Sequence, residues 1–247
     1  YGGPLALKPT KKVFSAFLKA FNDYCKNNGI VTEWCRLHPF FQNHKFLPSK
    51  KVKEIYYIEL NKDSKIIFND FEKSNRNAIT KAEREGVIIS QSNKKKDIDD
   101  FYNIYVKTME MNKAEKFYYY SKGYMHGLFK YLKEDVRLFL AKYNSKTIAA
   151  SLFLKSKGSI VQYYLSGMNK EYSGTHPNNL LLYHAIIWAK KDDYKIFNLG
   201  GGHNSNDGLS KFKSKFTKTA TNFFRHHKVH NEKVYKKLCF EYKKYLL

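Results

Sequence analysis

Phe14, Phe17, Leu18, Phe21 and Tyr24 recur at intervals of three and four, the spacing of an amphipathic helix. Asn27-Asn28-Gly29 stops that helix, and residues 30–37 follow as a strand. The same order returns later: an apolar-striped helix over 180–190, a polar turn at Asp192-Asp193 and a strand over 194–199. Two helix–turn–strand units of similar length imply an internal duplication. Between them, 52–60 reads as a strand, 63–71 and 74–85 as charged helices with Gly86 capping the second, and 87–90 as a strand. Asp97 is expected to cap a helix through Met109, and Ser121 another through Leu132. Strands over 136–143, 147–155 and 159–167 are separated by Asn144-Ser145-Lys146 and Ser156-Lys157-Gly158, tight-turn material that predicts an antiparallel meander. A short helix capped by Asp207, a strand over 221–229 and a helix capped by Asn231 complete the pattern. From residue 87 onward this is an α+β order with a mixed sheet.

Composition narrows the class. The 247 residues are 43% hydrophobic and 17% aromatic, enough to bury a core. No run approaches the roughly 18 apolar residues of a membrane span, and no signal-peptide pattern opens the chain. The first residue is Tyr1 and not methionine, so an upstream piece is expected. Cys25, Cys35 and Cys239 form an odd set without C-x-x-C spacing, which points to buried thiols in a reducing compartment. The formal charge of +23 favours a polyanionic ligand such as nucleic acid, a nucleotide-linked substrate or an anionic membrane face. Lysine-rich composition alone also produces such a charge.

The stretch KIFNLGGGHNSNDGLSKFKSKF (195–216) invites a nucleotide-loop reading that its spacing does not support. Gly200 and Gly202 fit the first half of G-x-G-x-x-G, but Ser205 stands where the third glycine belongs, and no G-K-[ST] occurs. The glycines fit better as a side-chain-free turn at a strand end, from which the loop delivers Lys213. His226 and His230 share a strand face, but no carboxylate or cysteine joins them in the pattern, so no metal centre is expected. No Ser-His-Asp or Cys-His arrangement is recognisable; His176, His184 and His203 are open as general bases. KFYYYSKGYM (116–125) reads alternatively as an aromatic–basic stacking surface of a non-catalytic nucleic-acid-binding module.

Five pieces in order carry a resemblance: YGGP (1–4), NRNAITKAEREGV (75–87), FYNIYVKTM (101–109) followed by KFYYYSKGYM, QYYLSG (162–167), and NLGGG…GLSKFKSKF (198–216). With them the chain resembles the GNAT acyltransferase fold, and more closely the FemABX group of aminoacyltransferases and its relatives in bacterial surface-polysaccharide pathways. The resemblance implies a tandem GNAT-like fold with a mixed, mostly antiparallel sheet flanked by helices. Residues 1–60 would be the C-terminal part of an incomplete first domain, 61–86 connecting helices and 87–247 a complete second domain.

It further implies acyl transfer to an amino group of a cell-envelope precursor, a peptidoglycan peptide or an amino sugar. Aminoacyl-tRNA or acyl-CoA would serve as cosubstrate, with no tightly bound cofactor. Acetyl-CoA-dependent N-acetylation in surface-polysaccharide synthesis is the alternative. The partner would be an anionic nucleotide- or lipid-linked precursor, met in the cytoplasm or at the inner face of an anionic membrane. The sheet would splay near 164–167 opposite 197–199. By the family's pattern, Lys213 of the Phe212-Lys213 pair sets its ammonium over the reacting carbonyl, and Tyr164 faces donor and acceptor. Phe212, Ser166, Asn198, Gly200, Gly201 and Gly202 would line the acyl group, and Lys116 and Tyr120 would meet an acceptor phosphate, with 117–119 as packing. Arg76 would hold a phosphate or pair with Glu72. The CoA signature R/Q-x-x-G-x-G/A has no counterpart between Met168 and Asn178, where the loop reads NKEYSGTHPNN.

Overall fold

The computed structural model describes residues 1–156, 159–202 and 207–246. Along the chain run α1 (Lys11–Asn27), β1 (Thr32–Arg36), β2 (Ser49–Glu59), α2 (Ser64–Asn69), α3 (Lys73–Arg84), β3 (Ile88–Ser92), α4 (Lys95–Met111) and α5 (Lys122–Leu132). There follow β4 (Val136–Tyr143), β5 (Lys146–Lys155), β6 (Ile160–Met168), α6 (Pro177–Lys191), β7 (Ile196–Gly200), α7 (Gly208–Ser214), β8 (Ala220–Val229) and α8 (Glu232–Leu246). Ser121, Asp207 and Asn231 each accept a backbone N–H of the first helical turn, as their positions in the sequence predict. Asp97 does not cap α4; the cap is Lys94, and Asp97 in the first turn accepts the Ser92 hydroxyl at 2.5 Å. Asn144 and Ser145, both at positive φ (48° and 63°), make the primed two-residue turn that suits a right-twisted hairpin. Lys157 and Gly158 of the next expected turn, and His203 and Ser205 of the polar loop, lie outside the described residues.

The chain divides into two compact units, one of Tyr1–Ile55 with Thr221–Leu247 and one of Tyr56–Ala220. The C-terminal strand and helix thus group with the first 55 residues, where sequence reading places them in a domain beginning at 87. In the first unit β1 pairs antiparallel with β8, from Thr32↔Val229 to Arg36↔Arg225. Gly2 bridges Leu37 in parallel, so the segments flanking α1 form a parallel crossover. Phe14, Leu37 and Leu47 are its buried centre. His226 is buried beneath this sheet with a carboxylate beside it after all. Glu33 Oε1 lies 3.3 Å from Nε2 of both His226 and His230, a meeting of residues 33 and 226–230 that linear spacing does not reveal.

In the second unit strands lie in the order β7-β6-β5-β4-β3, all antiparallel neighbours except the parallel pair β6–β7, and the end of β2 (56–59) pairs antiparallel with β7. The crossover between β6 and β7 is α6, the same parallel crossover that α1 makes in the first unit, in keeping with an internal duplication. Alternation along β4 sends Phe139 and Ala141 into a core with α3 and α6, and Leu138 and Leu140 into a second core with α4 and α5. Each fully buried Phe or Leu there contributes about 1.5–3 kcal/mol of transfer free energy.

The second core rests on one glycine. A Cβ on Gly167 would lie 3.0 Å from the carbonyl carbon, carbonyl oxygen and Cγ2 of Ile104, so the backbone of α4 sits directly on β6. Thr108 fastens the contact: its hydroxyl donates to Ile104 O (2.8 Å) and accepts from Met168 N (3.0 Å). Gly167→Ala is expected to lift α4 and destabilise the protein by about 1–3 kcal/mol. Gly174→Ala, with nothing within 4 Å of its Cβ, should leave the urea midpoint unchanged. Equal midpoints for both variants would contradict the close-packing account.

Candidate active site

The parallel ladder between β6 and β7 is three residues long: Ile160↔Ile196, Val161↔Phe197 and Gln162↔Asn198. Beyond Gln162 and Asn198 the strands part, and their facing backbone groups no longer pair with each other. On its other edge β6 carries a β-bulge. Leu152 lies opposite Leu165 and Phe153 opposite Tyr163, so Tyr164 is the extra residue. The bulge resets the alternation of side chains. Tyr163 stacks on Phe153 in the α6-side core, while Tyr164 and Leu165 both join the α4–α5 core. The expected splay is present, but on β7 Phe197 and Asn198 are still in the ladder, which that strand leaves two residues later than the sequence reading places it, while β6 leaves it at Tyr163, one residue earlier.

Side-chain amides occupy the fork. Asn198, fully buried, donates Nδ2–H to Gln162 Oε1 (2.6 Å), and its Oδ1 accepts from Gly200 N (2.9 Å). Gln162 Nε2 donates to Tyr163 O at 2.7 Å. Gly200, at φ +71°, turns the chain in the left-handed region that favours glycine.

Lys213 comes to this turn from α7. The side chain is 6% exposed, and Nζ donates to Gly201 O at 2.9 Å. The ammonium lies 5.6 Å from the centre of the Tyr163 ring, within cation–π range. A Cβ on Gly200 would stand 3.3 Å from Nζ, and one on Gly202 would stand 2.0 Å from Asp207 Oδ1. The glycines therefore accommodate two side chains of the following helix, the capping Asp207 and the buried Lys213. Of the lysines in KFKSKF, Lys211 is exposed as expected, whereas Lys213 is not part of a solvated face. Burial pushes the Tyr163 phenol up, against the hydroxyls of Ser166 and Ser151, which favour its ionised form. Those two hydroxyls are 2.9 Å apart.

On the other side of the bulge, Tyr164 OH meets Tyr124 OH at 2.5 Å, and the Tyr124 ring stacks on Tyr120 at 4.6 Å. Burial first, and then the Tyr124 hydroxyl, hold the Tyr164 phenol well above its ordinary value, so it is a neutral hydroxyl at physiological pH. Tyr120 is thus linked to Tyr164 through Tyr124. Lys116 stands on a short exposed 3-10 turn with Phe117, whose 72% exposure overturns the packing role expected of it. Phe212 packs edge-on against Phe216 as part of the core.

Arg76 is engaged elsewhere. Its Nη1 donates to Asn69 O at 3.0 Å and to Phe71 O, closing the end of α2. Glu72, its expected partner at i−4, pairs with Lys218 instead. His176 is the left-handed cap of α6, and His184, its pKa lowered by burial, lies against Tyr183. Sequence reading names Lys213, Tyr164, Ser166, Asn198 and the glycines around the fork, but misses Gln162, Tyr163 and Tyr124. QYYLSG contains the first two, and only the bulge shows which way each points.

Because the Gly202 position is filled by the Asp207 carboxylate, whose Oδ1 also accepts from Ser210 N at 2.7 Å, Gly202→Ala should expel the α7 cap. The expected cost is about 0.5–2 kcal/mol, that of losing an N-cap. Gly208→Ala, with open space at its Cβ, is the comparison in chemical denaturation, and a cost as large for it as for Gly202→Ala would refute the cradle.

No curated protein matches the sequence. Among solved structures, the crystal structure of FemX superposes with a TM-score of 0.73 at 15% identity, covering 92% of this chain and 79% of FemX. The C-terminal domain of a putative lysylphosphatidylglycerol synthetase from Agrobacterium fabrum gives 0.63 at 13% identity, covering 92% of this chain and 76% of its own. L-PGS from Bacillus licheniformis gives 0.63 at 14% identity, over 87% of this chain and 73% of its own. At these identities the likeness is one of fold. The acetyltransferase (GNAT) domain family matches residues 69–214, the stretch that holds the bulge, the fork and Lys213. The chain therefore belongs to the GNAT acetyltransferase family and is an N-acyltransferase.

Proposed function

We propose that the protein transfers an aminoacyl group from an aminoacyl ester, such as aminoacyl-tRNA, to an amino group of an anionic cell-envelope precursor. The observation that carries this reading is the buried Lys213 ammonium at the mouth of the β6–β7 fork. Aminolysis needs an amine held in line with a carbonyl and a positive group where the oxyanion develops. Backbone groups released by the fork hold the acyl group, Lys213 stabilises the oxyanion, and the neutral Tyr164 hydroxyl donates to donor or acceptor from the bulge. Ser166, Asn198 and the three glycines line the acyl side; Tyr120 and Lys116 lie toward the acceptor.

The start of α6 supports an ester donor over CoA. The phosphate-binding signature R/Q-x-x-G-x-G/A of CoA-dependent GNAT enzymes is missing from the stretch before this helix. Here the loop winds into a 3-10 helix, Lys170–Thr175, and α3 lies across it. Lys81 Nζ donates to Gly174 O (3.0 Å), and Asn179 Nδ2 donates to Asn75 Oδ1 (2.8 Å). The charge of +23 suits a tRNA or an envelope precursor carrying phosphates, met at an anionic membrane surface. Among the described residues no helix is long and apolar enough to cross a membrane. A structural neighbour named as a putative lysylphosphatidylglycerol synthetase favours an envelope acceptor. A second reading, N-acetylation by acetyl-CoA, is favoured by the family's own description.

A thermal-shift panel of acetyl-CoA, an aminoacylated tRNA acceptor-stem mimic and UDP-linked muropeptides separates the two by linkage. The mimic is expected to raise Tm and acetyl-CoA to leave it; the reverse result would establish the second reading. With the donor so identified, Lys213→Met should lower kcat by about 10²–10³ with KM little changed. Full turnover in Lys213→Met would remove Lys213 from the mechanism.

A further inference from the structure

We infer that Gln162 is the positioning residue that sets the catalytic lysine, through a hydrogen-bonded relay with no freedom in its polarity. The inference rests on the reading of Lys213 as the oxyanion stabiliser. The Gly200 N–H can only donate, so Asn198 must present Oδ1 to it and turn Nδ2 toward residue 162. Gln162 must then present Oε1 to Asn198, leaving Nε2 to face Tyr163 O, which can only accept. Both ends of the relay demand the same orientation of both amides.

The relay joins the strands where their ladder ends and holds Gly200 in its turn. That turn in turn fixes Gly201 O, the acceptor of the Lys213 ammonium. Nζ and Gln162 Nε2 abut the same empty volume, 3.3 and 3.8 Å from where a Gly200 Cβ would be. Among natural side chains of this length, glutamine alone supplies the acceptor and the donor. Glutamate keeps the acceptor, loses the donor and adds a negative charge beside the ammonium; methionine loses both.

The test reads the position of Lys213 first and turnover second. In the full chain labelled with ¹³C at lysine Cε, the Lys213 methylene should be shifted upfield by the Tyr163 ring and identified by its absence in Lys213→Met. Gln162→Met, and Gln162→Glu should the first fail to fold, are expected to move that resonance toward the solvent-exposed lysines. A resonance unmoved in a folded variant overturns the inference. In turnover with the donor–acceptor pair from the thermal-shift panel, Gln162→Met should lower kcat by about 10- to 100-fold, the cost of a misplaced group. The same change in a Lys213→Met background should cost nothing further. A second full loss there would show that Gln162 acts independently of the lysine and overturn the proposal. If Lys213→Met alone keeps full kcat, the catalytic reading fails while the resonance shift still decides whether Gln162 places Lys213.

Discussion

A parallel strand pair that stops pairing in mid-sheet has to account for every backbone group it releases, and the β6–β7 fork of this protein is one solution to that requirement. Past Gln162 and Asn198 the carbonyls and N–H groups of β6 and β7 lose their neighbours. Leaving such groups buried and unpaired costs on the order of 1–3 kcal/mol each. Two side-chain amides take up the groups nearest the fork, and a left-handed glycine turns β7 away. The bulge one residue further on solves the complementary problem for side chains. It lets Tyr163 and Tyr164, neighbours in sequence, belong to two different cores that meet at the fork.

The three consecutive glycines gain a different meaning in this setting. The space beside Gly202 is taken by the Asp207 carboxylate, and the Lys213 ammonium lies against the space beside Gly200. A loop and the short helix after it are thereby folded onto each other, and the lysine arrives with its acceptor already built. In the proposed role of Lys213, preorganisation of this kind would let the ammonium act without reorganising during the reaction.

The element order was legible because it rests on local signals. Apolar spacing marks α1 and α6, capping side chains mark α5, α7 and α8, and Asn144-Ser145 marks a primed turn. Asp97 shows where such signals stop, since an acidic residue in a first turn resembles a cap until the Ser92 hydroxyl claims it. The site was legible only as far as a family's motif places residues in register. Lys213 and Tyr164 could be named, but the geometry joining them depends on a one-residue bulge that leaves no periodic trace. Glu33 beneath His226 and His230 was hidden for the same reason, nearly two hundred residues of chain separating groups that share one oxygen's neighbourhood.

The division of the chain bears on the order in which the protein can come into being. Residues 1–55 leave the ribosome long before residues 221–247, yet β1 has β8 as its partner and Leu37 N donates to Phe224 O. The opening segment must therefore wait, partly formed and with apolar surface showing, until almost all of the chain has been synthesised. The unit of residues 56–220 is complete in sequence before residues 221–247 are made and can close before it. Residues 1–55 are in this sense made before the unit of residues 56–220 and completed after it.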